Sequence, residues 1–331
     1  MTTNTLDNMG DSEMEATTAQ AKDLVSPEQL SDLMERTHLE AWVQTLSHFG
    51  AIGLTGYALY TMWGTWWTVP LFMLQGTLLT YLYAAQHEFS HFTPFKTRWL
   101  NVFWGGVCGF LGFFPYWMDR MHHMLHHQYT GVRDMDQELA EWRFEDKPHT
   151  FTSYLWWLSG IDYYWGLISV IIGRIFGKLT AYEKKMISPS DCILMVVEAW
   201  WYMVGYALII WLSIYYESWL ALQVWILPQF AMKWMHQAHN IAEHYGLPKV
   251  SDITSNTRTI YTTPINRWLV WNMTYHTAHH RFANVPFYNL KKMDRLIRKE
   301  VKHSTKGYLT FHRRVLSCAF KGRRFGYEGL M

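Results

Sequence analysis

Between Ala41 and His87 the chain has no Asp, Glu, Lys or Arg, and from Cys192 to Met232 the charged residues are Glu198 and Glu217 alone. Each charge-poor block is long enough for two bilayer passes of about 20 residues. The mean hydropathy is slightly negative, but Trp, Tyr and His score poorly on such scales and crowd membrane interfaces. The local runs outweigh the average, and the chain reads as an integral membrane protein. Cysteine is scarce: Cys108, Cys192 and Cys318 stand far apart with no CxxC pair, which excludes a zinc ribbon and a disulfide framework. A Gly-rich phosphate loop is missing too, as are a flavin or nicotinamide fingerprint and a ferredoxin-type cysteine cluster. Nothing points to a nucleic-acid partner. Residues 1–37 are acidic and polar, without apolar periodicity, and are expected to be a mobile cytosolic tail. No apolar core follows a basic start there, so no cleaved signal peptide is expected.

What is present organises the rest. "HFGAIGLTGYALYTMWG" (48–64) and "WWTVPLFMLQGTLLTYLYAAQ" (66–86) read as a hairpin of spanning helices turning near Gly64. "CILMVVEAWWYMVGYALIIWL" (192–212) and "WLALQVWILPQFAMKWM" (219–235) read as a second, turning near Tyr215–Ser218, with "SPSD" at 188–191 as its N-terminal cap. Neither tight turn carries Lys or Arg, so the positive-inside bias puts both termini and the long middle region on the cytoplasmic side. Two more segments, 99–118 and 151–173, are apolar but atypical. The first is broken by glycines and Pro115; the second holds Asp162 and is dense in Trp and Tyr, an interfacial signature. The expected fold is all-α, with four transmembrane helices in two hairpins and a cytosolic histidine-rich helical cap. Its expected boundaries are an acidic tail at 1–40, a membrane domain at 41–296 and a basic cytosolic tail at 297–331.

Of 17 histidines, most fall in four groups: "HEFSH" (His87, His91), "HMLHH" (His123, His126, His127), "NIAEH" (Asn240, His244) and "HTAHH" (His276, His279, His280). Spacings of three and four put side chains on one face of a helix, so each group can aim its rings at a common point. A single HxxxH is usually chance or a surface pair; two HxxHH groups and an HxxxH in one chain are not. Nine imidazoles, without cysteine and with acids nearby, suit iron or another first-row metal, and they exceed what one ion can take. Two metals are therefore expected. If 99–118 crossed the membrane, the first two groups would lie on opposite faces, so 99–118 and 151–173 are expected to lie in the interface or be re-entrant.

The ordered set HxxxH, HxxHH, NxxxH and HxxHH around two hairpins resembles the membrane fatty acid desaturase and hydroxylase superfamily. "HHQYTGVRDMDQE" (126–138) resembles its second box, and "WNMTYHTAHHRFANVPFYNL" (271–290) the third box of its bacterial desaturases. The resemblance implies a non-haem di-iron centre capping a four-helix bundle, with a narrow tunnel for an acyl chain. It also implies His87, His91, His123, His126, His127, His244, His276, His279 and His280 as ligands, with Asn240 close to one iron through water. Outside that set, His122 and His239 are expected in outer positions or exposed, and His236 is expected to be structural. Asp119, Asp134, Asp136, Glu88 and Glu243 are candidates to accept the free N–H of a ligand ring. Glu198, within a span, should face the bundle or a polar cavity.

An unactivated C–H bond needs a strong oxidant, which a di-iron centre makes from dioxygen and two electrons. Desaturation of a fatty acyl chain is the favoured outcome. Hydroxylation, which "AEHYGL" (242–247) supports by echoing the membrane alkane monooxygenases, and decarboxylation to a terminal alkene are the alternatives. The electrons must come from a separate carrier. The stretch from Lys291 to Arg324, with Asp294 and Glu300 as its acids, could dock an acidic ferredoxin or cytochrome or equally anionic lipid. A membrane metal transporter is the alternative of another class, but transporters place ligands near the bilayer midplane, whereas these groups fall at the ends of spans.

Overall fold

The computed structural model describes residues 24–132, 135, 136, 138, 150–323, 325 and 326. Helix α1 (Pro27–Met34) starts at a capping box, in which Ser26 and Gln29 exchange side-chain and backbone bonds. Its Leu30 and Leu33 are buried, and Leu33 O accepts from Asn289 Nδ2 at 3.0 Å. Residues 24–40, expected as the end of a mobile tail, are thus folded onto the domain; residues 1–23 lie outside the described part.

Helix α2 (His38–Thr61) turns at Gly64 (φ +84°) into α3 (Thr68–Thr80). After a break at Tyr81, α4 (Leu82–Ser90) carries the first histidine group. Helices α5 (Arg98–Gly112) and α6 (Tyr116–Tyr129) follow, the second histidine group lying on α6. Segment 99–118 is therefore two helices meeting at Pro115, not one span. Helices α7 (Phe151–Leu158) and α8 (Ile161–Ile175) are bent by 45° at Gly160. The short α9 (Ala181–Met186) leads into α10 (Pro189–Tyr215), whose Ser188 caps it by accepting from Asp191 N at 3.2 Å. After the turn at Glu217 comes a π-helical turn (Leu222–Ile226), then α11 (Leu227–Ala231) and α12 (Lys233–His244).

Among the described residues, α10 alone is long and apolar enough to cross a bilayer as one helix. The sequence segments 66–86 and 219–235 are interrupted, at Tyr81 and at the π-helical turn, which shortens each continuous helix. Even so, Leu54, Tyr57, Val69, Trp201, Ile210 and Ile214, on α2, α3 and α10, are each more than half exposed, an apolar belt around two hairpins that pack together. Gly76 makes that packing possible, because a Cβ there would lie 2.2 Å from Pro228 O. Pro228 cannot donate to the turn before it, and there Val224 O accepts from Gln75 Nε2 of α3 at 2.9 Å. Gln75→Leu is expected to cost about 1 kcal/mol, the typical worth of a hydrogen bond to a part-buried carbonyl. Thermal unfolding of the detergent-solubilised variant reads this, and an unshifted midpoint would refute the role.

The remainder is a helical cap: α13 (Ile253–Asn256), α14 (Pro264–Leu269), α15 (His276–Arg281), α16 (Phe287–Ile297) and α17 (Tyr308–Phe320). The cap is not purely helical, since β1 (Thr259–Tyr261) and β2 (Ser304–Lys306) form a two-stranded parallel sheet. This pairing ties the segment after residue 297 to the domain. Phe311 and Val315 of α17 pack with Ile241 and Tyr245, beside the fourth histidine-bearing segment.

Candidate metal centre

Each histidine group is carried by a short helix whose buried face points to one place. His87 comes from α4 and His91 from its C-cap, His123, His126 and His127 from α6, His244 from the last residue of α12, and His276, His279 and His280 from α15. The structure brings all nine rings together. One nitrogen from each of His87, His91, His123, His127 and His279 lies within 4.8 Å of the others, and His126, His244 and His280 form a second such set. His276 joins the second set, its Nε2 2.8 Å from His244 Nε2 and its ring 4.4 Å from that of His280. The sets touch where His127 stacks on His280 at 4.2 Å.

The rings are aimed from behind. His123 Nδ1 lies 3.2 Å from Glu138 Oε2, and His126 Nδ1 3.0 Å from Asp136 Oδ1. His244 Nδ1 donates to Asn256 O at 2.8 Å, and His280 Nδ1 is 3.2 Å from Thr130 Oγ1. Glu243 Oε1 faces His276 Nδ1 at 3.4 Å and Glu88 Oε1 faces His279 Nδ1 at 3.6 Å. Six of the nine rings thus turn Nδ1 outward and Nε2 toward the shared space.

That arrangement fits cations. Carbonyls and ionised carboxylates only accept, so the Nδ1 atoms they face carry the proton and the matching Nε2 atoms present lone pairs. Yet Nε2 atoms meet in pairs: His87 with His279 at 2.7 Å, His91 with His123 at 3.0 Å and His244 with His276 at 2.8 Å. In the third pair both rings face an acceptor at Nδ1, so lone pairs meet there and repel unless a cation is shared; His87 and His91 can act as donors or, deprotonated at Nε2, as further ligands. Both ring nitrogens of His127 and Nε2 of His280 are also buried with no hydrogen-bond partner among the described residues. Burial, and then the neighbouring rings, hold His87, His127, His276 and His280 well below the ordinary histidine value, so they stay neutral, as ligands must. His126 is the exception: burial opposes its charge, but Glu138 and Asp136 lift it to about 9. Burial pushes the Glu88 and Glu243 carboxyls well up; a cation beside their histidines would favour the ionised form.

Of the expected outer carboxylates, Asp136, Glu88 and Glu243 face rings of the set. Asp119 does not: its Oδ2 accepts from Gln86 Nε2 at 3.0 Å. Asp134 lies outside the described residues. His122 points away from the centre, toward Glu183 Oε1 at 2.9 Å, while His239 is buried with Nε2 3.4 Å from Glu243 Oε1. His236 stacks on Tyr83 at 3.6 Å, a packing role. Asn240 is half-buried one turn before His244 on α12. Glu198 faces the bundle, but it takes backbone amides: Trp117 N at 2.9 Å and Met118 N at 3.3 Å. Sequence reasoning missed Glu138, Thr130 and Asn256. Glu138 ends the acidic run after the second box and could have been singled out; Asn256 acts through its carbonyl, which no side-chain pattern reveals.

The sequence profile of the fatty acid desaturase family matches residues 64–312, a range containing every one of these histidines. A sn-1 acyl-lipid omega-3 desaturase (ferredoxin) of Nostoc sp. (strain 36) is 25% identical over 270 residues, covering 75% of this chain and 72% of its own. A sn-1 oleoyl-lipid 12-desaturase of Synechocystis sp. is 22% identical over 282 residues (78% and 76%). A sphingolipid delta(4)-desaturase of Drosophila melanogaster is 26% identical over 243 residues (71% and 67%). With the histidine boxes in place and the profile spanning most of its length, this chain belongs to the fatty acid desaturase family, oxidoreductases of lipid metabolism.

Proposed function

We propose that the protein is a membrane-bound, dioxygen-dependent desaturase that introduces a double bond into the acyl chain of a lipid at a two-iron centre. The observation that carries the reading is the meeting of nine buried imidazoles in two adjoining sets, within a chain of the desaturase family. His87, His91, His123, His127 and His279 would hold one ion; His126, His244, His276 and His280 the other, with Asn240 near it through water. When bound, the irons supply the oxidising power, drawn from dioxygen and two electrons, that breaks an unactivated C–H bond. The chain supplies geometry: Asp136, Glu138, Glu88 and Glu243 fix the rings and raise their basicity.

The exposed apolar belt on α2, α3 and α10 supports the four-span reading, with the broken α5–α6 segment and the bent α7–α8 pair set in or beside the interface. Both termini and the histidine cap would then face the cytoplasm. An acyl-lipid substrate is supported by the names of the relatives above, and so is a separate electron carrier, ferredoxin in the first of them. A cytochrome-type carrier would serve the same chemistry.

Lipids from a host expressing the chain, analysed by mass spectrometry with double-bond localisation, are expected to gain an alkene inside an acyl chain. A hydroxylated chain or a volatile terminal alkene would replace the desaturase reading by one of its neighbours. Purified protein is expected to hold two irons per chain and to consume dioxygen with a reductant and lipid. Little iron and no consumption would defeat the oxidative chemistry altogether.

A further inference from the structure

The turn between α5 and α6 opens the backbone of two helices inside an apolar part of the protein. The last carbonyls of α5 and the first amides of α6 have no partners in their own helices. Pro115, the N-cap of α6, has no side-chain acceptor to offer. Phe113 adopts a left-handed conformation (φ +59°) to make the turn. Irregular backbone survives at such a place only where the surrounding protein satisfies it.

The second hairpin does so, through residues at helical spacing on one face. Three rungs stand four residues apart on α10. Glu198 accepts from Trp117 N, with its oxygens at 3.0 and 2.9 Å, and from Met118 N at 3.3 Å. Tyr202 donates to Gly106 O at 3.3 Å, and Tyr206 to Phe110 O at 2.8 Å. Trp225, on the π-helical turn, donates to Leu111 O at 2.7 Å and stacks on Phe113 at 4.9 Å. The phenols and the indole hold the carbonyl end of α5. The Glu198 carboxyl takes the amides of Trp117 and Met118 at the first turn of α6.

We propose that Glu198 is a positioning residue for the metal centre, acting through α6. His123, His126 and His127 lie within three turns of Trp117 on the same helix. The first of those turns also carries Asp119, which anchors α6 to Gln86, next to His87 of α4. Releasing the amides of Trp117 and Met118 frays that turn, loosens the link to α4, and lets three ring positions drift. An apolar span thus sets the place of the histidine helix by a hydrogen-bond acceptor of fixed reach, not by contact with substrate or metal.

The reading rests in part on the proposed ligand role of α6, so two measurements are made on the full-length protein in detergent. Backbone hydrogen exchange at residues 116–119 needs no metal; iron retained per chain against a chelator reports the centre. Glu198→Leu is expected to speed exchange at 116–119 about five- to tenfold, the size of a lost helix cap, with exchange at 276–281 unchanged. Iron retention should fall about tenfold or more, as for other groups behind metal ligands. Glu198→Gln keeps one acceptor, which in the Oε2 position meets both Trp117 N and Met118 N, and should stay within about threefold of the parent in both. Glu198→Asp keeps the charge but withdraws the acceptor by one methylene, and should fall short of Glu198→Gln.

If Glu198→Leu does not accumulate, the Gln and Asp variants still decide. Asp matching the parent while Gln loses iron would overturn the proposal, because charge and not reach would then matter. Unchanged exchange at 116–119 in the Leu or Asp variant would overturn it as well. Faster exchange in a protein whose parent form holds no iron would instead defeat the metal reading and leave the helix cap standing.

Discussion

A His279→Ala variant is expected to insert and accumulate like the parent yet lose desaturation altogether. His279 comes from the third box, its Nε2 lies 2.7 Å from His87 Nε2 of the first box, and its Nδ1 faces the buried Glu88. Removing the ring deletes one donor of the five-histidine set. It also leaves the Glu88 carboxyl without the group that orients against it, in a space that water does not fill freely. The loss should appear in iron content as well as in turnover, with less metal retained than by the parent. His126→Ala should behave alike through the second set, where His126 sits 4.8 Å from the His280 ring and 5.0 Å from that of His244. Near-parental desaturation by either variant would show that the ligand assignment is wrong.

Asp136→Asn should be nearly as informative, because it removes charge while keeping shape. One carboxylate oxygen faces His126 Nδ1 at 3.0 Å and the other accepts from Gly131 N at 2.9 Å. The residue therefore orients a ring and closes the turn after α6 at once. An asparagine can keep only one acceptor, and it no longer supplies the negative charge that makes the neutral His126 ring a stronger donor. The expected fall in metal affinity or turnover is about 10–100-fold, typical of partners behind metal ligands. Iron titration into the metal-free variant, alongside turnover, measures it. An effect below twofold would mean that Asp136 serves the loop alone.

The two tight turns show what one-dimensional patterning captures well. Gly64 and Tyr215–Ser218 stand between charge-poor runs, and the backbone reverses at both places. The histidine groups were equally visible, since three- and four-residue spacings put rings on one helical face. The helix breaks were not. Tyr81 carries no proline or glycine signal, and the π-helical turn at Leu222–Ile226 is a response to Pro228 and to the approach of α3, which no local window contains. The strand pairing of Thr259–Tyr261 with Ser304–Lys306 brings together segments more than forty residues apart. Runs of three residues carry too little periodicity to announce themselves.

What the amino-acid order determines by itself is an inventory: two apolar hairpins, four histidine groups and a family. Those are local properties, written in runs and spacings that survive without knowing where any helix packs. Which atom serves which purpose was decided only by tertiary contact. Asp119 and Asp136 are both acids beside the second box, yet one meets Gln86 and the other a ring. Glu198, the acid inside the apolar stretch of α10, proves to hold the first amides of α6. Hydrogen bonds act over about 3 Å, and distances that short between residues far apart in the chain exist only once the helices have packed.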